Sequence, residues 1–135
     1  GVFEGVMGAS GLSDALREVC QGWGFPVLLL AYLFALFVRV AQGSATVAMV
    51  TAAGLMTAMV EGLSQAQLAL IVVAIAAGAS AVSHVNDSGF WLVSRYMMMT
   101  EKQTFQTWTV ISTVVSVLGF LLAALLWVLL PFMSL

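Results

Sequence analysis

The run Ser83-His84-Val85-Asn86-Asp87-Ser88-Gly89 holds most of the side chains in this sequence that can bind a polar ligand or move a proton. Apolar residues flank it on both sides, Leu68 to Val82 before it and Phe90 to Val93 after it. A carboxylate inside an apolar crossing costs about 2.5–3.5 kcal/mol on insertion scales, so it is kept there by default for a function. Asp87 is in that position. Asp87 and His84 are the groups in this run that gain and lose protons, whereas Arg39 stays charged. On a locally helical path His84 and Asp87 would share a face at i and i+3, and His84 and Ser88 at i and i+4. The plainer alternative ends the crossing at Ser83, leaves the cluster in a solvated loop and makes Asp87 a helix cap.

A second group is Arg39 with Gly43-Ser44-Ala45-Thr46. Arg39 either neutralises an anionic ligand or snorkels to an interface from a helix end. At a helix start the free N–H groups and the macrodipole attract an anion, which makes Gly43 to Thr46 a candidate cradle. Ser44 and Thr46 either cap the helix or bond ligand hydroxyls. Enzyme chemistry has thin support. No serine–histidine–acid arrangement stands out, and His84 has no second histidine for a zinc site. Cys20 is the one cysteine, so neither an internal disulfide nor a thiolate cluster is available. Met97-Met98-Met99 reads as interfacial packing, and Gly78-Ala79-Ser80-Ala81 as a small-residue packing surface.

The elements that position these groups are set by composition. Of 135 residues, 62% are hydrophobic and 7% charged, against about 25% charged in soluble domains. The bilayer is the solvent that fits such a chain. A net charge of −2 gives no footprint for nucleic acid. The chain begins at Gly1 and carries no charged leader with a cleavage site, so it reads as one membrane domain, residues 1–135, cut from a longer polypeptide.

Four apolar stretches follow one another: Phe25 to Val38, Val40 to Val60, Leu68 to Ser83, and Val110 to Leu130. The last is long enough to span a membrane, with Trp108, Trp127 and Phe132 as interfacial anchors. The first two are short and meet at a glycine-containing turn. They form either an ordinary pair of crossing helices or a re-entrant hairpin over residues 25–60 whose tip stops at mid-membrane. Leu68 to Val93 reads as one crossing interrupted by the polar run, because Ser, Asn and Asp side chains compete for backbone hydrogen bonds. Residues 1–24 are expected to be a packing or interfacial segment, with Gly1 and Gly5 at small-residue spacing and Ser13 as an N-cap. Arg95 and Lys102 fall between the third crossing and the last helix, which puts that loop in the cytoplasm by the positive-inside rule.

The residues Arg39-Val-Ala-Gln-Gly-Ser-Ala-Thr-Val-Ala48, then Ser83-His-Val-Asn-Asp-Ser-Gly-Phe-Trp-Leu92, then Thr107-Trp-Thr-Val110 resemble the gluconate permease (GntP) family in order and spacing. The likeness covers nearly the whole chain and fits that family's C-terminal third. Ser88 stands where many relatives carry proline, and Gly1 to Gly11 departs from a more glycine-rich version.

The resemblance implies an all-α polytopic membrane protein like half of an ion-transporter-superfamily member. Its parts would be a re-entrant hairpin (25–60), a broken helix (67–93) and a final transmembrane helix (105–131). It implies proton-coupled uptake of gluconate or a related sugar acid across the bacterial inner membrane. Arg39, Gly43, Ser44, Ala45, Thr46, Ser83, Asn86 and Ser88 would contact substrate, and Asp87 and His84 would handle the coupling proton. No cofactor or metal is expected, and sodium stays open as the coupling ion. The expected partners are a small anionic organic acid, membrane lipid, the N-terminal repeat of the same protein and a second copy in a homo-oligomer. A permease for D-serine, glycerate or another hexonate remains an alternative, as do a structural or channel-like subunit and an intramembrane enzyme using His84 and Asp87.

Overall fold

The computed structural model describes residues 26–57 and 59–133. The expected segment over residues 1–24 lies outside them. Every regular element among the described residues is helical: α1 (Val27–Gln42), α2 (Ala45–Met56), α3 (Gln65–Ser80), α4 (Ser88–Tyr96), α5 (Glu101–Thr104), a π-helical turn (Phe105–Thr109) and α6 (Val110–Met133). The last three run on without interruption. Glu101–Phe132 is the one helical stretch among the described residues that is long and apolar enough to cross a membrane. Most of its surface is bare in this chain, with Val114, Leu118, Leu121 and Leu125 exposed. Such a surface is stable against lipid or further protein, not against water.

Helix α1 does not end at Arg39 as its charge had implied. It continues one turn to Gln42 and stops at Gly43, whose φ of 76° is left-handed and whose N–H bonds the Arg39 carbonyl at 2.8 Å. That is the αL helix stop. Ser44 follows in extended backbone, and its hydroxyl accepts the Val47 N–H at 3.3 Å, which starts α2. Two residues, Gly43 and Ser44, therefore separate α1 from α2. The link from α2 to α3 ends at Ser64, where a reciprocal cap with Gln67 opens α3.

Helix α3 stops at Ser80, three residues before the expected end of its apolar stretch. The backbone from Ala81 to Asp87 is irregular, and α4 starts at Ser88. Asp87 restarts the helix by accepting the Gly89 N–H at 2.9 Å. The interruption of Leu68 to Val93 is thus real and longer than expected at its front end. Val82 within it has φ of 45°. For a β-branched residue this is a strained conformation, costing on the order of 1–3 kcal/mol.

The core lies where α1, α3 and α6 meet, with α2 packed on α1. Small residues set the α1–α3 distance. A Cβ at Gly78 would run into the Tyr32 carbonyl oxygen and come within 3.0 Å of Ala35 Cβ. Ala31, Ala35, Ala74 and Ala79 are completely buried around this approach. Such small-residue seams let helix backbones come close where the solvent is lipid. The expected packing role of Gly78 is what the fold displays. Tyr32 ties α1 to α6, with its hydroxyl 3.0 Å from the Ser116 hydroxyl and its ring 4.5 Å from Phe120.

Candidate functional site

The α1–α2 turn and the α3–α4 break are in contact. A Cβ on Gly43 would overlap the backbone carbonyl and Cβ of Asn86. Glycine is required there twice, for its left-handed φ and for this approach. The two polar motifs, about 40 residues apart in sequence, form one structure.

Arg39 holds them together. Its side chain is 4% exposed, so it does not snorkel. Its Nε donates to the Ala81 carbonyl at 3.3 Å, its Nη1 to the Gly43 carbonyl, and its Nη2 to Asp87 Oδ2. The guanidinium thus spans the end of α1, the turn after it and both ends of the break. The fork of donors suits this role, which a lysine's point charge cannot reproduce. Asp87 is equally committed. Its Oδ2 also accepts from the Ser83 hydroxyl, and its Oδ1 from the Gly89 N–H. One carboxylate therefore forms an ion pair and caps α4.

Ser83 is 1% exposed and is held from α6 and the π-turn. The Trp108 indole N–H donates to its hydroxyl at 2.8 Å, the Thr109 hydroxyl donates to its carbonyl, and its own N–H donates to the Ser112 hydroxyl at 3.3 Å. No buried side-chain nitrogen or oxygen among the described residues lacks a partner. His84 makes no hydrogen bond to the carboxylate. The residues are not helical there, so the i, i+3 face does not form. Its Nδ1 lies 2.9 Å from the Val82 carbonyl oxygen.

The expected site residues therefore divide in two. Arg39, Gly43, Ser83 and Asp87 are engaged with one another or with the backbone. Thr46, Asn86 and Ser88 are exposed, while Ser44, Ala45 and His84 are half-buried. Thr46 lines an open cavity of about 440 Å³ with Gln42, Val47, Val50 and Thr51. Trp108, Thr109 and Ser112 were not expected at the site. Trp108 had been read as an interfacial anchor on its aromatic character. The signal for the others was the cluster of hydroxyl residues at 107, 109, 112 and 113 opening an otherwise apolar run. Nothing in their spacing points to Ser83.

The α1–α2 turn and the α3–α4 break thus make one polar structure, tied by a buried ion pair, in an otherwise apolar helical chain. Comparison with known proteins fixes the class. The model of the GntP family permease matches residues 1–130, and the chain belongs to that family. It is 44% identical over 121 residues to the low-affinity gluconate transporter of Escherichia coli K12, covering 88% of this chain and 27% of that protein. It is 40% identical over 126 residues to a gluconate permease of Pseudomonas aeruginosa, covering 93% and 28%. It is 39% identical over 121 residues to the Gnt-II system L-idonate transporter of Escherichia coli K12, covering 90% and 27%. The chain thus spans about a quarter of the length of these curated relatives. They are permeases, not enzymes. No solved structure matches.

Proposed function

We propose that the whole protein is a secondary active transporter, a proton symporter that takes up gluconate or a related small sugar acid across the bacterial inner membrane. This chain would contribute one side of its binding site. The observation that carries the reading is the contact between the two interruptions at Gly43 and Asn86, locked by Arg39 and Asp87. In transporters, interrupted helices meet at the substrate near the midplane.

On this reading α1 and α2 are the arms of a re-entrant hairpin. Their 16 and 12 residues are about 24 and 18 Å long at 1.5 Å per residue, short of the roughly 30 Å hydrocarbon core. Helices α3 and α4 are the halves of a broken crossing, α6 is the last span, and the Arg95–Lys102 loop is cytoplasmic. The substrate carboxylate sits at the start of α2, on the Ser44, Ala45 and Thr46 N–H groups, which have no acceptor within their helix. Thr46, Asn86 and Ser88 meet its hydroxyls. Arg39 and Ser83 act from behind, because both are buried and each of their donor atoms already holds a protein partner. The rest of the pocket comes from the N-terminal repeat.

Coupling follows from the lock. Protonating Asp87 removes the negative member of the ion pair and frees the hairpin tip from the break. Proton occupancy thereby biases which arrangement the two interruptions adopt, with His84 as the neighbouring relay. Sodium stays open as an alternative ion.

The test is Asp87→Asn in the full-length protein in proteoliposomes. The expected result is loss of pH-driven gluconate accumulation with counterflow exchange retained. Accumulation against a gradient with the wild-type pH dependence would dismiss Asp87 as the carrier. Uptake that is neither saturable nor gradient-dependent in the wild type would favour a channel-like or structural subunit.

A further inference from the structure

Among the described residues, Ser83 is where side chains of the π-turn and the last helix bond the break beside the ion pair. Three side chains from the π-turn and the start of α6 converge on it: Trp108 on its hydroxyl, Thr109 on its carbonyl and Ser112 on its N–H. Its hydroxyl hydrogen points at Asp87 Oδ2. The Trp108 N–H is a donor only, so it occupies a lone pair of the Ser83 oxygen and leaves the hydroxyl's single hydrogen directed at the carboxylate. Trp108 therefore fixes the direction of the Ser83 hydrogen bond. The connection is buried at Ser83 and arises where the helix is π-helical, an irregularity that in helices often marks a functional position.

We infer that Trp108 is a positioning residue for the Arg39–Asp87 pair, acting through Ser83, so that the last helix and the hairpin lock move as one unit. The groups facing Asp87 make this path distinctive. From α1 comes Arg39, on its own connection lies His84, and the π-turn and α6 offer Trp108, Thr109 and Ser112, none of which titrates. Trp108 cannot act on the carboxylate by charge and has to act by orientation. The inference rests on the transport reading for its readout, and the assay separates the two.

Full-length protein in proteoliposomes is compared as wild type, Trp108→Phe, Ser83→Ala, Ser83→Thr and the Trp108→Phe/Ser83→Ala double variant. Gluconate uptake is measured for KM, Vmax and pH profile. Trp108→Phe and Ser83→Ala should each lower Vmax about tenfold, the size of one ordinary hydrogen bond. KM should stay within about twofold, and the pH midpoint of uptake should move in the same sense in both. The double variant should match Ser83→Ala alone, because coupled residues are not additive. Ser83→Thr, which keeps the hydroxyl, should recover part of the Vmax and of the pH midpoint lost in Ser83→Ala. Thr109→Val supplies a second route if Trp108→Phe fails to reach the membrane. It removes the bond to the Ser83 carbonyl at nearly constant shape and should shift the same pH midpoint. Losses that multiply to about a hundredfold in the double variant, or an unmoved pH profile in the single variants where the wild type is pH-dependent, would overturn the inference. A wild type indifferent to a pH gradient would sink proton coupling instead, and the Vmax cycle would still decide the role of Trp108.

Discussion

Removing one member of the Arg39–Asp87 pair should cost more than removing both. Arg39 and Asp87 side chains are 4% and 13% exposed, so a single substitution strands a charge with little access to water. Breaking a buried pair on one side typically costs about 3–5 kcal/mol. The residual exposure of Asp87 and the carbonyls that remain on Arg39 put Asp87→Asn nearer the lower end. Asn is also a good N-cap, so α4 keeps its start. Arg39→Gln should cost more, because it leaves the Ala81 and Gly43 carbonyls without the guanidinium as well as Asp87 without its cation. In the double variant no net charge remains buried, and the interaction energy from the cycle should be about 2–3 kcal/mol in favour of the double. The assay is thermal unfolding of the purified full-length protein in detergent. Each single variant should unfold at lower temperature, and the double should recover part of the loss. Losses that add in the double variant would mean that the pair does not tie the hairpin to the break.

Gly43→Ala should destabilise the protein by at least the roughly 1–2 kcal/mol of a left-handed residue with a Cβ, with a further penalty from the overlap with Asn86 and a loss of uptake at normal expression. Val82→Gly should relieve a strained φ and stabilise the protein by up to about 1 kcal/mol after the added chain entropy of glycine, seen as a higher unfolding temperature. Single cysteines at Thr46, Asn86 and Ser88 should be protected from small thiol reagents by gluconate. Fast labelling by bulky impermeant reagents, unaffected by gluconate, would mark an ordinary exposed turn.

The sequence made the punctuation of this fold legible and its long-range wiring illegible. Gly43 and Ser44 announced a helix stop and a helix start by their own backbone chemistry, and the run from Ser83 to Gly89 announced an interruption because its side chains compete for backbone bonds. Both signals are local. The end of α1 was misplaced at Arg39 because a charge was taken to end an apolar helix. The guanidinium instead has carbonyl and carboxylate partners waiting inside, which no window of sequence displays. The same reason hid Trp108. An aromatic residue at the head of an apolar helix has an interfacial signature. Whether its N–H meets lipid headgroups or a buried serine depends on the rotation of the helix, and that is set by packing such as Tyr32 on Ser116 and Phe120. The site residues sorted for a related cause. Composition marks Ser44, Thr46, Ser83, Asn86 and Asp87 alike as polar residues in an apolar chain, and only the three-dimensional bonds divide them into a buried lock and an exposed rim.

That division bears on how such a site can alternate. An exposed rim alone binds a ligand but gives the protein no second state, and a permanent buried pair gives rigidity without a response. Here the carboxylate of Asp87 belongs to both. Its Oδ1 holds the start of α4, and its Oδ2 holds Arg39 and Ser83. A change on that one group is felt at the α4 N-terminus, at the hairpin tip through Gly43, and in the last helix through Trp108. Asp87 also lies within one residue of Asn86 and Ser88 on the rim. On the proposed reading, a ligand ordered by those residues and a proton on Asp87 act on the same short segment, and the coupling between them is reciprocal, in whichever order they arrive.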